Sequence, residues 1–355
     1  MSWHGIIGHD KVVEQFRRAL SRGRLASSFL FAGPSGIGKR SFALKLAQAL
    51  LCENHPEESL DPCEHCPACL QVIAGTHPDF QLVSKPVDKS FIPLELLIGD
   101  KEHRRREGLC HYIALKPYKG GCKIAVIDDA DYLNAEGANA LLKTLEEPPP
   151  RSVLILIGTS PAKQLPTIRS RCQLIRFQPL DADTVARLLT DKGIVQDAAE
   201  ARRLARHGDG SLERAGELAN VEIWTFRNAL YQRLAAETLD SVSLSRMTAK
   251  FVEDAGKDAA ARRRRLHQVI GFIADFYRQL LRALNGAATP APPDLAEADD
   301  AEVDHFIGEA LKRQSLDVEK TAARLDRCLQ TDLLVDRNAN QSTLIETWLD
   351  GLGGL

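Results

Sequence analysis

Short apolar runs and helical stretches alternate along the first half of the chain. The runs at 28–32, 123–129, 152–160 and 172–177 predict strands, and the third is nearly all apolar, as in a strand covered on both faces. Residues 39–52 and 136–147 have helical spacing, and the second helix is expected to stop at three consecutive prolines. This alternation predicts a parallel sheet with helices on both sides.

The strand signals stop after Pro179, and only helical periodicity follows. Short helices are predicted from 181 to about 220, and longer ones with Arg-rich and Leu-rich faces from 221 onward. The segment 285–302 is rich in Ala, Pro and Asp, which predicts a flexible loop. The expected domains are an α/β domain at 1–180, a small helical domain at 181–222 and a helical C-terminal domain at 223–355.

Composition and charge narrow the class of protein. A chain of 355 residues with 44% hydrophobic and 26% charged residues is typical of a globular protein with two or three domains. No run of 18 apolar residues suggests a membrane span, and the N-terminus lacks the pattern of a signal peptide, so the expected location is the cytoplasm. The net charge of −2 excludes nucleic-acid binding over the whole surface but leaves a local patch open.

Residues 33–39 have the spacing G-x-x-x-x-G-K of a phosphate-binding loop. They follow a predicted strand and precede a predicted helix, which is the setting that such a loop requires. Gly33, Gly36 and Gly38 let backbone N–H groups approach phosphate oxygens, and Lys39 is placed to neutralise the β and γ phosphates. The simpler alternative is a structural turn.

The residues expected to bind magnesium and to activate water in this predicted site depart from the usual pattern. Arg40 stands where Ser or Thr would bind the metal, and Ser41, about 100° further around the helix, is expected to point elsewhere. Asp128 is expected beside magnesium, and Asp129 holds the place of the Glu that polarises water in related ATPases. Because Asp is one methylene shorter, we expect little ATP hydrolysis, with nucleotide binding weak or absent. Alternatively, Arg40 swings out to solvent and magnesium binds through water.

Four cysteines crowd into residues 52–69, which predicts one structural zinc ion. Four thiolates suit a closed tetrahedral site, and His55 or His65 could replace one of them. The alternatives are a reduced loop without metal and an artefactual disulfide. The remaining cysteines are expected to be ordinary core or surface thiols. The predicted ligands are Cys52, Cys63, Cys66 and Cys69; the ordinary thiols are Cys110, Cys122, Cys172 and Cys328.

Several of these stretches together resemble a known family. The phosphate-loop segment, the Cys cluster with AGTHPDF, the segment LKPYKGGCKIAVIDDADYLNAEGANALLKTLEEPP and the stretch LPTIRSRCQ are similar to bacterial DNA polymerase III clamp-loader subunits of the AAA+ class. The altered phosphate loop and THPDF favour the delta-prime type over the ATP-hydrolysing gamma/tau type. The resemblance is dense to about residue 180 and implies an AAA+ α/β domain, a helical lid domain and a helical C-terminal collar.

The resemblance also implies roles for individual residues. Arg171, in the Ser-Arg-Cys motif, would be an arginine finger supplied to the ATP of a neighbouring subunit, with Arg169 as the alternative. Thr159 matches the position of a polar γ-phosphate sensor. Ser211 and Leu212 match a second sensor region in which the expected Arg is replaced by Glu213, with Arg214 one step later.

The implied function is that of a rigid ring member that helps load the sliding clamp onto primed DNA during replication. Its implied partners are the gamma/tau and delta subunits, the clamp and, through the complex, DNA; no membrane is implied. One alternative is a gamma/tau-like motor subunit, which the intact Lys39 and Asp128 favour. Another is a zinc-containing nucleic-acid-binding module on an inactive NTPase scaffold. The basic run 262–265 is predicted to be a solvated or intersubunit helix face, with nucleic-acid contact as the alternative.

Overall fold

A computed structural model describes residues 3–104, 106–118, 121–286, 300–313, 317–335 and 340–354. Its described residues contain one sheet of five parallel strands, in the order β2-β3-β4-β1-β5. The carboxyl ends of β1, β3 and β4 therefore lie side by side at one edge. The strands are β1 (Ser28–Ala32), β2 (Phe80–Val83), β3 (Lys123–Ile127), β4 (Ser152–Gly158) and β5 (Gln173–Arg176).

The sheet belongs to a compact unit that covers residues 1–218. One helix precedes β1, the next six lie between successive strands, and three more follow β5. In chain order they are α1 (Asp10–Ser21), α2 (Lys39–Leu51), α3 (Pro67–Ala74), α4 (Leu94–Ile98), α5 (Leu109–Ala114), α6 (Ala135–Glu146), α7 (Pro166–Arg169), α8 (Ala182–Asp191), α9 (Ala198–His207) and α10 (Leu212–Leu218).

Both faces of the sheet are buried, as the continuous apolar strands predict. All seven residues of β4 are buried, and their side chains alternate between two hydrophobic clusters. Val153, Ile155 and Ile157 pack with aromatic residues from α1, α2 and β1. Leu154 and Leu156 pack with residues of α4, α5 and α6. The sheet is thus a rigid platform for the loops at its carboxyl edge.

Strand β2 was not among the strands predicted from the sequence. It pairs with β3 at the edge of the sheet, and only its first and last residues are buried. The segment Phe80–Val83 is four residues long and contains one Gln, so the apolar run is too short and too mixed to stand out.

The second compact unit covers residues 219–355 and, where the structure describes it, is helical. Most of the predicted flexible loop 285–302 lies outside the described residues, and a helix begins within it at Asp300. The core contains the fully buried side chains of Tyr231, Tyr277 and Trp348. The helices are α11 (Val221–Leu234), α12 (Ser241–Glu253), α13 (Ala259–Leu284), α14 (Asp300–Arg313), α15 (Val318–Val335) and α16 (Gln341–Gly353).

The predicted fold class is confirmed as far as an α/β domain with a parallel sheet, followed by helical regions. The division of residues 1–218 at position 180, and the exact start of the collar, remain predictions. In the part of the chain that the structure describes, no helix is both long enough and apolar enough to cross a membrane.

Candidate functional site

The glycine loop lies between the carboxyl end of β1 and the first turn of α2. Gly36 (φ 68°) and Gly38 (φ 96°) have left-handed backbone conformations that disfavour any side chain. Gly38 is the N-cap residue of α2, so the positive end of that helix faces the loop. The backbone therefore has the shape that a phosphate-binding loop requires.

Lys39 folds back onto this loop. Its Nζ donates hydrogen bonds to the carbonyl oxygens of Gly33, at 2.7 Å, and Pro34, at 2.5 Å. The residue is only 7% exposed, and burial lowers the pKa of its ammonium group, although nearby carboxylates oppose that shift. The ammonium that would neutralise a phosphate is held by carbonyl groups of the loop itself.

Arg40 forms an ion pair with Asp128, the acid that was predicted to lie beside magnesium. Its Nη1 is 3.4 Å from Oδ2 of Asp128, whose side chain is 15% exposed, whereas that of Arg40 is 54% exposed. The guanidinium thus neutralises a carboxylate that a magnesium site would need. Ser41 is exposed on α2.

Asp129 follows directly and has a left-handed backbone, with φ at 56°. Its N–H donates to Oδ1 of Asp128 at 3.0 Å. Burial raises the pKa of the Asp129 carboxyl, and the charge of Asp128 raises it further, while Lys85 and Arg40 oppose the shift. The two acids therefore differ: Asp128 pairs with a cation, whereas Asp129 remains accessible to solvent and has a raised pKa.

The predicted γ-phosphate sensor is hydrogen-bonded inside the protein. The Thr159 hydroxyl donates to Oδ2 of Asp131, and the Thr159 N–H donates to the same oxygen at 2.7 Å. The amide Nε2 of the buried Gln164 donates to the other oxygen, Oδ1, at 2.7 Å. This network links the carboxyl ends of β3 and β4. The Thr159 hydroxyl donates its hydrogen bond to Asp131 within the network.

The second sensor region packs onto the glycine loop. The N–H of Leu212 donates to the carbonyl of Gly36 at 3.1 Å, and a side chain at position 36 would collide with Ser211 and Glu213. Arg214 turns away, since its Nη1 donates to Oδ2 of Asp209 at 2.7 Å. The contact with the loop therefore brings an acid, Glu213, against the glycine loop.

Carboxylates outnumber cations around the loop. Four acids act on the Lys39 ammonium, while Lys39 itself and Arg40 supply the positive charge at the loop. A triphosphate is strongly anionic, so this balance weakens its binding. The four acids are Asp128, Asp131, Glu213 and Asp129.

Arg171, the predicted arginine finger, lies just after α7. Its Nη2 is 2.6 Å from Oε1 of Glu146, the last residue of α6, and its Nη1 donates to the Thr167 carbonyl at 2.8 Å. The side chain is about one-third exposed, at 32%. The guanidinium is therefore oriented at the surface by an exposed ion pair that a stronger anion can replace.

The four predicted metal ligands come together. The Sγ atoms of the cluster lie within 4.8 Å of one another, so the cysteines could hold a metal ion. All eight cysteines of the chain are free of disulfides. Backbone N–H groups of Cys63, Cys66 and Cys69 donate to the sulfurs of Cys52, Cys63 and Cys66, respectively, at 3.3–3.5 Å. These hydrogen bonds suit thiolate ligands, which fits a metal centre.

The proposed substitutes, His55 and His65, are not part of this cluster of described residues. Nδ1 of His55 is 2.7 Å from the Asp61 carbonyl, and Nδ1 of His65 is 2.6 Å from the Cys63 carbonyl. The cluster is tied to α2, because the buried Gln48 donates from Nε2 to the Cys69 carbonyl at 3.0 Å.

The N-terminal segment also contacts the segment between α2 and α3 that carries the cysteine cluster. The indole Nε1 of Trp3 donates to the Leu60 carbonyl at 2.9 Å. His4 lies between the carboxylates of Asp61, at 2.7 Å, and Glu64, at 3.0 Å. A few residues later, Nε2 of the buried His9 lies 2.7 Å from the Ile37 carbonyl in the glycine loop. The N-terminus thus contacts both candidate sites.

Comparison with known proteins shows what this region is similar to. Residues 8–181 match the family model described as "DNA polymerase III, delta subunit". The matched stretch is just under half of the chain. Residues 8–181 contain the glycine loop, the acids, the cysteine cluster and Arg171, whereas the second sensor region at 211–214 lies outside the matched stretch.

Two curated relatives are DNA polymerase III delta-prime subunits. The one from Bacillus subtilis is 31% identical over 226 residues, which is 60% of this chain and 64% of the relative. The one from Pseudomonas aeruginosa is 36% identical over 151 residues, 42% of this chain and 43% of the relative. The tau subunit of Escherichia coli is 31% identical over 222 residues, 61% of this chain and 32% of the relative. The matched part spans less than two thirds of each relative.

Several residues of the site were missed by reasoning from the sequence. Asp131 is the third acid of the stretch DDAD, and Gln164 lies in a loop after β4; only the folded sheet brings both to Thr159. Glu146 was part of a predicted helix end, but its contact with Arg171 spans 25 positions of sequence. His9 gave no signal beyond its position before a helix.

Proposed function

We propose that this chain is a delta-prime-type subunit of a bacterial clamp loader. It acts as a rigid ring member that assembles with gamma/tau and delta subunits and helps place the sliding clamp on primed DNA in the cytoplasm. It hydrolyses little or no ATP itself and supplies Arg171 to the ATP of a neighbouring subunit.

The observation that carries this proposal is the contact between Arg40 and Asp128. A motor subunit needs a metal ligand after the loop lysine and a free acid opposite it, whereas here a guanidinium lies on that acid at 3.4 Å. The self-bound Lys39 and the approach of Glu213 support the same interpretation.

Arg171 has the properties required of a group that acts in trans. Its guanidinium is exposed at the surface and is oriented by Glu146 and by a backbone carbonyl. An arginine that reaches a neighbour's γ-phosphate stabilises charge in the transition state, an effect of about 10³- to 10⁵-fold in rate. Arg169, at the end of α7, is the alternative finger.

The cysteine cluster is proposed to hold one zinc ion in a structural role. Four sulfur ligands leave no coordination position for a substrate, so the ion would stabilise the module between α2 and α3 and perform no chemistry. Bound ATP with magnesium is proposed to be weak or absent, for the reasons given above.

A gamma/tau-like motor is the second candidate function. The glycine loop retains its shape and Lys39, and a tau subunit is among the relatives at 31% identity. Tight binding of ATP that depends on magnesium would favour this candidate. The nucleic-acid-binding module on an inactive scaffold is the third interpretation.

Reconstitution tests the proposal. The chain is mixed with gamma/tau and delta subunits of the same organism, and the products are sized and assayed for clamp loading. We expect a stable complex that loads clamps only when this chain is included, and no turnover by the isolated chain. Failure of the chain to enter any complex would contradict the proposal, as would rapid ATP hydrolysis by the isolated chain that Lys39→Ala abolishes.

A further inference from the structure

Residues 3–9 form a short segment that contacts two separate parts of the α/β domain, and we call this segment the strap. It begins with a tight hairpin, in which Trp3 and Ile6 exchange two backbone hydrogen bonds of 2.9 Å. The two central residues, His4 (φ 48°) and Gly5 (φ 81°), both have positive φ values, as the type I′ turns of tight hairpins require. The turn therefore holds the His4 side chain in a defined position.

The first end of the strap is docked on the segment between α2 and α3 that carries the cysteine cluster. The indole Nε1 of the buried Trp3 donates to the Leu60 carbonyl at 2.9 Å. The ring nitrogens of His4 lie 2.7 Å from Oδ1 of Asp61 and 3.0 Å from Oε1 of Glu64. The ring donates to both acids only when both nitrogens carry protons, which makes these contacts charge-assisted. All three partners of the strap lie within five consecutive residues.

The acids that hold His4 are placed by the cysteine cluster. Asp61 and Glu64 are exposed and lie on either side of Cys63, a proposed metal ligand. The small hydrophobic cluster of this segment consists mainly of the four cysteines, so we expect a bound metal to hold the segment in place. Leu60, by contrast, packs in one of the two main clusters of the sheet. The contacts of His4 are therefore the part of the docking that depends on the metal.

The other end of the strap contacts the glycine loop. Nε2 of His9 lies 2.7 Å from the Ile37 carbonyl oxygen, and the ring packs edge-on against Phe177, with ring centres 4.9 Å apart. Burial lowers the pKa of His9, and a carbonyl oxygen only accepts hydrogen bonds, so the neutral ring donates from Nε2. The adjacent carbonyl, that of Gly36, accepts the N–H of Leu212 at 3.1 Å. Movement of His9 would therefore reach the contact between the loop and Leu212.

Two connections join the cysteine cluster to the glycine loop. Helix α2 begins at the loop and ends beside Cys52, but most of it is buried in the core, which holds it in place with or without a metal. The strap is held at its first end by groups whose positions depend on the metal. We propose that the metal ion of the cysteine cluster controls the glycine loop through the strap. Without the ion, the strap detaches at His4 and the loop loses the support of His9; this inference rests on the zinc ion proposed above.

Hydrogen–deuterium exchange of the full chain, with zinc bound and after its removal by a chelator, tests the proposal. Mass spectrometry of short peptides follows two amides, and elemental analysis establishes the metal content of each sample. The Ile6 N–H reports on the strap, because it donates to the Trp3 carbonyl, and the Leu212 N–H reports on the glycine loop. In the wild type we expect both amides to exchange about tenfold faster without zinc.

Two variants separate the ends of the strap. In His4→Asn, the new residue tolerates the left-handed turn but its single amide cannot reach both acids. The Ile6 amide should then exchange fast even with zinc bound, at an unchanged metal content. His9→Phe keeps a ring against Phe177 but removes the N–H donor. There the Ile6 amide should still respond to zinc, whereas the Leu212 amide should exchange fast with or without the ion.

His103→Asn is the matched control, since it removes an exposed histidine that pairs with Asp100 in the loop between α4 and α5. It should respond to zinc as the wild type does. In the wild type, an Ile6 or a Leu212 amide that is indifferent to zinc would overturn the proposal. A Leu212 response that survives in His9→Phe would also overturn it, because α2 would then carry the coupling. A chain that binds no zinc contradicts this inference and the zinc proposal together, whereas reconstitution with the other subunits is scored separately.

Discussion

Arg40 is the residue at which the glycine loop departs most clearly from a magnesium-binding one. The substitution Arg40→Ser restores a hydroxyl at the metal-ligand position and frees Asp128 from the guanidinium. We expect ATP binding to become magnesium-dependent, about tenfold tighter with magnesium than with EDTA, equivalent to about 1.4 kcal/mol. Calorimetric titration of ATP into the isolated protein, with and without the metal, measures this change.

Arg40→Lys is the matched control, because it keeps a positive charge near Asp128 without providing a metal ligand. It should show no response to magnesium. If Arg40→Ser does not respond to magnesium either, Arg40 is not the residue that makes the loop inactive, and Glu213 or Thr159 must account for it.

Asp79, just before β2, forms a buried ion pair with Lys123, the first residue of β3. Its Oδ1 is 2.9 Å from Nζ of Lys123 with both side chains buried, and both its oxygens accept the N–H of Tyr118 at 2.9 Å. Because Asp79→Asn leaves a buried ammonium without its countercharge, we expect the free energy of unfolding to fall by about 3–5 kcal/mol. Urea unfolding followed by circular dichroism measures the decrease.

The double variant Asp79→Asn/Lys123→Met separates the effect of the charge pair from that of the hydrogen bonds. Removing the orphaned ammonium should restore part of the stability, since the cost arises mainly from an unpaired buried charge. Equal destabilisation of the single and double variants would show that the ion pair contributes little.

At the scale of elements, we expect the module between α2 and α3 to depend on a bound metal ion. It has few buried apolar residues of its own beyond the cysteine cluster, so we expect metal binding to supply much of its folding energy. Protein purified under reducing conditions should contain about one zinc ion per chain. Elemental analysis of the wild type and of Cys63→Ser/Cys66→Ser, which should lose the ion, tests this.

Cys110→Ala is the control, since Cys110 lies on α5 and is not part of the cluster. It should keep the full metal content. A wild-type protein that contains no metal after reducing purification would refute the zinc proposal, whatever the variants do.

The sequence predicted the elements whose pattern is local and strong. The strands β1, β3 and β4 are apolar runs of clear length, and β5 lies within the predicted run 172–177, so these four strands were found correctly. The four cysteines come together as their spacing predicts, while the functions of the glycine loop and the acids remain predictions. Strand β2 was missed because its four residues form a strand only through pairing with β3. Local signals do not contain that pairing.

The side-chain network of the site could not be predicted in the same way. Arg40 was expected near the metal position, but its contact with Asp128 depends on the parallel order that places β1 beside β4 and β4 beside β3. The Asp131–Thr159 and Glu146–Arg171 contacts join residues 28 and 25 positions apart. Such contacts follow from the packing of the folded chain, whereas spacing rules describe neighbours within one element.

At the scale of the whole molecule, the chain combines an intact phosphate-loop shape with a site that has lost its metal ligand. Its exposed Arg171 is oriented by Glu146 at the surface. If the proposed function holds, the chemistry belongs to the assembly, to which this chain would contribute one guanidinium and a rigid framework. A mutation at Arg171 should therefore have little effect on the isolated chain and should lower the ATPase rate of the assembled complex.

The most direct measurement is the DNA-stimulated ATPase rate of the reconstituted loader containing Arg171→Ala, compared with wild type and with Arg169→Ala. Sizing of each complex first establishes that assembly is unchanged. We expect Arg171→Ala to lower the rate at the adjacent site by about 10³-fold or more, so that total turnover falls, while Arg169→Ala has little effect. Wild-type turnover and clamp loading by the assembled Arg171→Ala complex would contradict the account.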